Sequence, residues 1–91
     1  MKRYVIERDI PGVGKLNTEH LKHTAVTSLS AQAKLYGKVQ WVQSYITADK
    51  TFCIYLADSE ASIHEYGRLS GFPVTRITEA RTVIDPMTTF S

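Results

Sequence analysis

The sequence predicts an α+β fold of the ferredoxin-like kind, in which a βαββαβ chain forms a four-stranded antiparallel sheet with two helices on one face. Runs rich in β-branched and aromatic residues alternate with two helix-forming segments in that order, and Gly, Pro or short polar turns bound each run. With 91 residues, the chain is long enough for one domain, residues 1–91, and too short for two.

The first strand and the first helix are marked by their ends. A strand is predicted over residues 2–10, and Pro11, Gly12 and Gly14 close it with a turn. The helix begins at Asn17 or Thr18, with the Thr18 hydroxyl as the predicted capping group and Glu19 in the first turn, and ends at Gly37. The apolar positions predicted to pack on the core recur every four residues, with two more beside them: Leu21, Ala25, Leu29 and Ala33, flanked by Val26 and Tyr36.

The remaining elements follow the same logic. Strands are predicted over residues 39–46 and 51–56, and "TADK" between them has the composition of a hairpin turn. Ser59 opens a second helix that ends at Gly71, and the last strand covers residues 74–84. The predicted inner face of the second helix consists of Ile63, Tyr66, Leu69 and Ser70.

Alternation along the strands predicts which side chains point away from the helices. We place Phe52, Ile54 and Leu56 inward, as the natural apolar set of their strand. The other side chains placed inward are Ile6 of the first strand, Val42 and Ile46 of the second strand, and Ala80, Thr82 and Ile84 of the last strand. The face that points away from the helices then carries both aromatic and polar side chains. Its predicted members are Glu7, Asp9, Trp41, Gln43, Tyr45, Cys53, Tyr55, Glu79, Arg81 and Val83.

Such a face is unusual on a monomer and predicts a binding surface or a homodimer interface. Because the first strand is central in this topology, Glu7 is expected near Tyr55 on one side and near Glu79 or Arg81 on the other. The alternative is that Glu7, Arg8 and Asp9 only solvate this face, with Arg81 as a surface ion-pair partner.

Composition excludes several classes of protein. A net charge of +2 from 11 basic and 9 acidic residues is too small and dispersed for a nucleic-acid binder. The single cysteine, Cys53, forms no internal disulfide, which favours a reducing compartment. No signal peptide or 18-residue apolar run is present, so we predict a cytoplasmic protein without a membrane partner.

The histidines are the metal-ligand candidates. His20 and His23 lie three residues apart on one side of the first helix, near Glu19, and His64 lies on the polar side of the second helix. Two imidazoles and one carboxylate make an open, weak site, and the alternative is a solvated helix face. Cys53 is interpreted as a small packed thiol, since a nucleophilic thiol needs a base beside it and the predicted neighbours are acidic or phenolic.

Three stretches, "YVIERDIPGVG", "WVQSYITADKTFCIYLA" and "GFPVTRITEARTVIDP", resemble a family of small bacterial proteins known as domain of unknown function 4242, one branch of which is described as nickel-binding. The resemblance covers almost the whole chain. It implies a ferredoxin-like fold paired sheet to sheet in a dimer. Where the family often reads Arg-Glu-His-Ala, this chain has His64-Glu65-Tyr66-Gly67. The site residues carried over by the resemblance are Glu7, Arg8, Tyr45, Tyr55, Glu79 and Arg81.

Together these features predict a homodimeric binding module for a small ligand or for a divalent metal such as nickel. The first alternative is a cofactor-free enzyme of the dimeric α+β-barrel kind that uses Glu7 or Glu79 as a base. The second is an interaction protein without a ligand, which would have a filled interface and no cavity.

Overall fold

A computed structural model describes residues 1–90 and shows the predicted βαββαβ order. In the antiparallel sheet the strands lie in the order second, third, first and fourth, numbered along the chain, and both helices pack on one face. The α+β ferredoxin-like prediction is therefore confirmed. The strands β1 to β4 span Lys2–Asp9, Val39–Ile46, Lys50–Ala57 and Arg76–Ala80, the helices α1 and α2 span Thr18–Ala33 and Glu60–Ser70, and short 3-10 helices cover Val13–Lys15 and Pro86–Phe90.

The helix ends are set by the residues that the sequence indicates. Helix α1 is capped by Asn17 and not by the predicted Thr18 hydroxyl, because the Asn17 side chain accepts a hydrogen bond from the backbone N–H of His20 and Thr18 is the first helical residue. Ser59 caps α2 in the same way, and Gly71 ends it with a φ of 77°, a left-handed conformation that favours glycine. Within residues 1–90, no helix has the length and hydrophobicity needed to cross a membrane.

The helix-covered face of β3 is the opposite of the predicted one. Cys53 and Tyr55 are buried under the helices, opposite Ile6 and Tyr4 of β1, whereas Phe52, Ile54 and Leu56 lie on the open face. Both faces of β3 are apolar, so alternation alone did not determine which set is inward. The prediction for β1 is confirmed, because Ile6 is buried and Glu7 and Asp9 lie on the open face.

The buried side of α1 is rotated from the predicted stripe. Ser28, Ala31 and Leu35 are buried, while Leu29 is 53% exposed and Tyr36 is 91% exposed. The predicted stripe counted apolar residues only. The hydroxyl of Ser28 reaches a hydrogen-bond partner inside the protein, so a polar residue occupies the buried face. Helix α1 also ends at Ala33, before the predicted stop at Gly37.

A β-bulge in β2 changes which side chains share a face. The register shifts between Trp41, opposite Tyr55, and Gln43, opposite Ile54. Trp41 therefore lies on the helix-covered face, against the prediction, while Tyr45 lies on the open face as predicted. Val42 is 44% exposed, against the prediction that it is buried. Ile46, opposite Thr51, lies on the helix-covered face as predicted, although it is 42% exposed. The extra residue that a bulge inserts reverses the alternation at this point.

Strand β4 is shorter than predicted and has the opposite phase. It ends at Ala80, so Arg81 lies beyond the strand, and the predicted stretch to Ile84 is not part of the sheet. Glu79 is opposite Tyr4, on the helix-covered side at the sheet edge. The β4 neighbour of Glu7 is Arg76, so the predicted cluster of Glu7 with Tyr55, Glu79 or Arg81 is wrong.

Candidate functional site

A pocket of about 490 Å³ lies between α1 and the helix-covered face of the sheet, where β1 ends. Its volume falls within the range of small-molecule sites, roughly 300–1,000 Å³. Apolar side chains from the loop after β1, from α1, from β2 and from the loop after α2 form most of its wall, among them Ile10, Val13, Leu16, Leu21, Trp41 and Phe72. The pocket therefore offers an apolar environment beside the central strands.

Arg8 lines this pocket and is only 2% exposed. Its Nη1 donates to the carbonyl oxygen of Pro73 at 2.7 Å, and its Nη2 donates to the hydroxyl of Tyr55 at 3.1 Å. The guanidinium also lies over the rings of Tyr55 and Phe72, at 5.8 and 5.6 Å from their centroids. These partners satisfy part of the guanidinium, but none of them carries a negative charge.

The charge of Arg8 is not neutralised by the protein. None of the ion pairs among residues 1–90 includes it. Burying a charge costs several kcal/mol unless an opposite charge and further hydrogen bonds compensate it. Two hydrogen bonds also leave the other N–H groups of the guanidinium without an acceptor among the described residues. The pocket wall thus holds a cation with unused donors.

A chain of hydroxyl groups runs from Arg8 to α1. Tyr55 donates to the hydroxyl of Tyr66 at 3.0 Å, and the Tyr66 hydroxyl shares a hydrogen bond with the Oγ of Ser28. Arginine can only donate hydrogen bonds, so the Tyr55 oxygen accepts from Arg8 and the Tyr55 O–H donates to Tyr66. Either hydroxyl could donate in the bond between Tyr66 and Ser28, but the Tyr66 hydrogen has no other acceptor among the described residues, so we assign Tyr66 as the donor. This direction leaves the Ser28 hydrogen as a further donor, and Ser28 also lines the pocket.

Burial shapes the acid–base properties of this chain. Removal from water raises the pKa of the Tyr55 phenol far above its usual range, and the positive charge of Arg8 opposes that effect only in part. The Tyr55 ring also packs against Tyr66, with 4.9 Å between the ring centroids. Tyr55 is therefore a neutral hydroxyl throughout the physiological pH range, and it can both accept and donate.

Of the predicted site residues, the structure brings together Arg8 and Tyr55. Glu7 and Tyr45 lie on the open face of the sheet, and Glu79 and Arg81 lie at its β4 edge. Glu7 is 3.9 Å from the Nζ of Lys50, and its side chain is 23% exposed. None of these four residues lines the pocket.

The histidines do not form a metal centre within one described chain. His20, His23 and His64 are all exposed on the helices. Within residues 1–90, no group of three His, Cys, Asp or Glu residues lies close enough together to hold a metal ion. Cys53 is buried as a packed thiol, as predicted, and its Sγ donates a weak hydrogen bond to Thr51 at 3.6 Å.

Ser28, Trp41 and Tyr66 are site residues that the sequence did not identify. Tyr66 was placed on the inner face of α2, but nothing in the sequence paired it with Tyr55. The signal for Ser28 is its position three residues after Ala25 and three before Ala31, which puts its hydroxyl on the buried side of α1. Such a hydroxyl needs an internal partner.

Comparison with known proteins gives a family and a fold. The family model described as "Nickel responsive protein SCO4226-like" matches residues 4–80. The structure is similar to the crystal structure of SCO4226 from Streptomyces coelicolor A3(2), with a TM-score of 0.76, 12% sequence identity, and coverage of 90% of this chain and 99% of that one. At this identity the likeness shows the fold alone. No curated protein matches the chain.

Proposed function

Since the chain belongs to the SCO4226-like family of nickel responsive proteins, we propose that it is a binding module through which a small ligand is recognised. The observation that carries this proposal is the pocket beside the buried, uncompensated Arg8. An apolar pocket with a few convergent polar groups is the usual form of a small-molecule site. An interaction protein without a ligand has no need of such a cavity, so the pocket favours ligand binding over that alternative.

The cofactor-free enzyme is the other alternative to a binding module. It was predicted to use Glu7 or Glu79 as a base, and no carboxylate is found among the described residues that line the pocket. An enzyme of this kind would have to work outside the pocket, at Glu7 on the open face or at Glu79 on the β4 edge of the sheet. The pocket therefore supports binding more directly than it supports proton transfer.

A filled-pocket variant tests the ligand-binding proposal. Ala25 lines the pocket, and Ala33 lies exposed on the same helix. We expect some members of a panel of small apolar acids, amides and amines to raise the melting temperature of the wild type. A ligand at a hundred times its dissociation constant stabilises a protein by about 2.7 kcal/mol. Ala25→Phe should abolish this shift and Ala33→Phe should retain it. If no compound acts differently on the two variants, the pocket is not the site.

We also propose that two copies pair through the open faces of their sheets. This face carries an apolar row formed by Phe52, Ile54 and Leu56 of β3, beside Val5 of β1. Charged side chains, including Glu7 and Lys50, surround the row, which is the usual arrangement of an apolar interface centre with a polar rim.

Sedimentation velocity at micromolar concentration tests this pairing. We expect a dimer for the wild type and a monomer for Ile54→Glu, since a carboxylate at the centre of an interface is strongly unfavourable. Leu29→Glu places the same charge on the exposed side of α1 and should leave the dimer intact. A wild-type monomer would contradict the pairing.

Nickel is the second ligand candidate, and the family description favours it. One described chain does not offer three grouped ligands, so a nickel site would need groups from both subunits. Metal analysis of untagged protein purified without added nickel tests this candidate. Replacing His20 and His23 with Ala should change nickel affinity by less than about tenfold, because both are solvated on α1. Membership of domain of unknown function 4242 and a cytoplasmic location remain predictions.

A further inference from the structure

We infer that the pocket selects an organic monocarboxylate, with its carboxylate at Arg8 and its apolar body against the pocket wall. This inference rests on the proposed ligand-binding function and names the chemical class of the ligand. It comes from the polarity of the groups that line the pocket, and it makes no use of the metal that the family description suggests.

Two polar groups of the pocket wall, the Arg8 guanidinium and the Ser28 hydroxyl, have donors without an acceptor. Among the described residues that line it, Arg8 alone carries a charge. The guanidinium keeps N–H groups beyond the two that bind Pro73 and Tyr55. At the other end of the hydroxyl chain, Ser28 retains a hydrogen with no further acceptor among the described residues. A ligand that completes this arrangement must accept hydrogen bonds and bring negative charge.

The single positive charge favours a monoanion. A carboxylate neutralises Arg8 and accepts two parallel N–H bonds from a guanidinium. A phosphate dianion would add an uncompensated negative charge to an apolar cavity, and a cation would meet the charge of Arg8 directly. A neutral ligand would leave Arg8 buried and unpaired. The carboxylate is thus the common biological group that balances the pocket.

The wall of the pocket defines the rest of the ligand. Trp41 and Phe72 provide aromatic surface, and Leu16, Leu21 and Ile46 provide aliphatic surface near the exposed side. The indole N–H of Trp41 already donates to the Oγ of Ser44 at 2.9 Å, so the ring presents only apolar surface to a ligand. A phenyl ring or a medium-length alkyl chain attached to the carboxylate suits this wall.

Matched acids and amides test the inference. Calorimetry at pH 7 compares octanoate with octanamide and 4-phenylbutyrate with 4-phenylbutyramide, and each amide has nearly the same shape as its acid without the charge. Trp41, the single tryptophan, reports occupancy of the pocket by fluorescence. We expect each acid to bind at least about tenfold more tightly than its amide. The guanidinium forms a stronger hydrogen bond with a carboxylate than with a neutral amide, and the difference in energy corresponds to an affinity ratio of about that size.

Variants then assign the preference to Arg8. Arg8→Met should bring acid and amide to equal affinity, and Arg8→Lys should keep part of the preference because it keeps the charge without the fork of donors. Arg68→Met, which removes an exposed guanidinium paired with Glu65 on α2, should leave the preference unchanged.

The possible outcomes separate this inference from the function on which it rests. Equal binding of acid and amide by the wild type would overturn the carboxylate assignment and leave the ligand-binding proposal standing. Failure of all four compounds to bind would overturn the carboxylate assignment, while the comparison of Ala25→Phe with Ala33→Phe decides the ligand-binding proposal itself. A preference that survives in Arg8→Met would overturn the role of Arg8. The wild-type comparison decides the ligand class even where a variant does not fold.

Discussion

Removing the Tyr66 hydroxyl tests whether the buried hydroxyl chain holds the helices to the sheet. Tyr66 is fully buried on α2, where its hydroxyl accepts from Tyr55 of β3 and is hydrogen-bonded to Ser28 of α1. This one oxygen therefore connects both helices and the sheet. Tyr66→Phe keeps the ring, its packing against Tyr55 and nearly all the buried volume, so the change isolates the hydroxyl.

The expected loss follows from the groups left behind. In Tyr66→Phe, the Tyr55 proton and the Ser28 oxygen both lose their partner inside the protein, and an unsatisfied buried polar group costs about 1–3 kcal/mol. Ser28 lines the pocket, which has room for a water molecule to replace the lost donor, so we expect its cost at the low end of this range. We therefore expect a total loss of about 2 kcal/mol, which for a domain of this size lowers the melting temperature by roughly 8–16 °C.

Urea unfolding followed by Trp41 fluorescence and by circular dichroism measures the change. Tyr45→Phe is the matched control, because the Tyr45 hydroxyl bonds only to the Gln43 amide at an exposed position. This control should change stability by no more than about 0.5 kcal/mol. Combining Tyr66→Phe with Ser28→Ala should cost less than the sum of the two single changes.

Two results would refute this reasoning. One is a Tyr66→Phe protein as stable as the Tyr45→Phe control, which would mean that the hydroxyl chain contributes nothing to stability. The other is additivity of Tyr66→Phe and Ser28→Ala, which would mean that the two hydroxyls do not interact.

Three further changes probe separate parts of the structure. Gly14→Ala should lower the free energy of unfolding in urea by about 1–3 kcal/mol, since the Cβ of the new alanine would lie 2.9 Å from the Cα of Ala48. A variant as stable as the wild type would contradict this close approach. Burial raises the pKa of the Tyr55 phenol in the folded protein, so above roughly pH 10 the unfolded chain loses the phenol proton while the folded protein keeps it. The free energy of unfolding therefore falls above that pH by up to about 1.4 kcal/mol per pH unit. In Tyr55→Phe, alkaline unfolding curves should lack that part of the slope, and an unchanged slope would exclude Tyr55 as its source. Glu7→Gln should keep the fold and self-association but weaken nickel binding in calorimetry, whereas Asp9→Asn should leave all three unchanged. Identical nickel titrations of the two variants would mean that Glu7 only solvates the open face.

The order of the elements was predictable because turns and caps are local. Asn17, Ser59 and Gly71 mark helix ends through side-chain capping or a positive φ, and each effect depends on a few neighbouring residues. The strand order and the antiparallel pairing then follow from the short connections of a βαββαβ chain.

The faces of the sheet were harder to predict, and so was the site. Strand β3 is apolar on both sides, so the choice between Phe52 and Cys53 as inward residues depends on packing against distant helices. The bulge at Val42 reverses the alternation of side chains along β2, and no glycine in that stretch of the sequence signals it. Alternation from Ile6 places Arg8 inward, but only the folded structure shows that no carboxylate accompanies it.

The central position of β1 has a consequence for synthesis of the chain. β1 pairs with both β3 and β4, and 66 residues separate Asp9 from Arg76. At about 5–20 residues per second, a ribosome needs roughly 3–13 s to deliver β4 after β1. During that time the apolar segment Tyr4-Val5-Ile6 can pair with neighbouring nascent chains, and the charged residues that follow it oppose such pairing. We therefore expect Arg8, together with Glu7 and Asp9, to oppose aggregation of the nascent strand before the pocket around Arg8 exists.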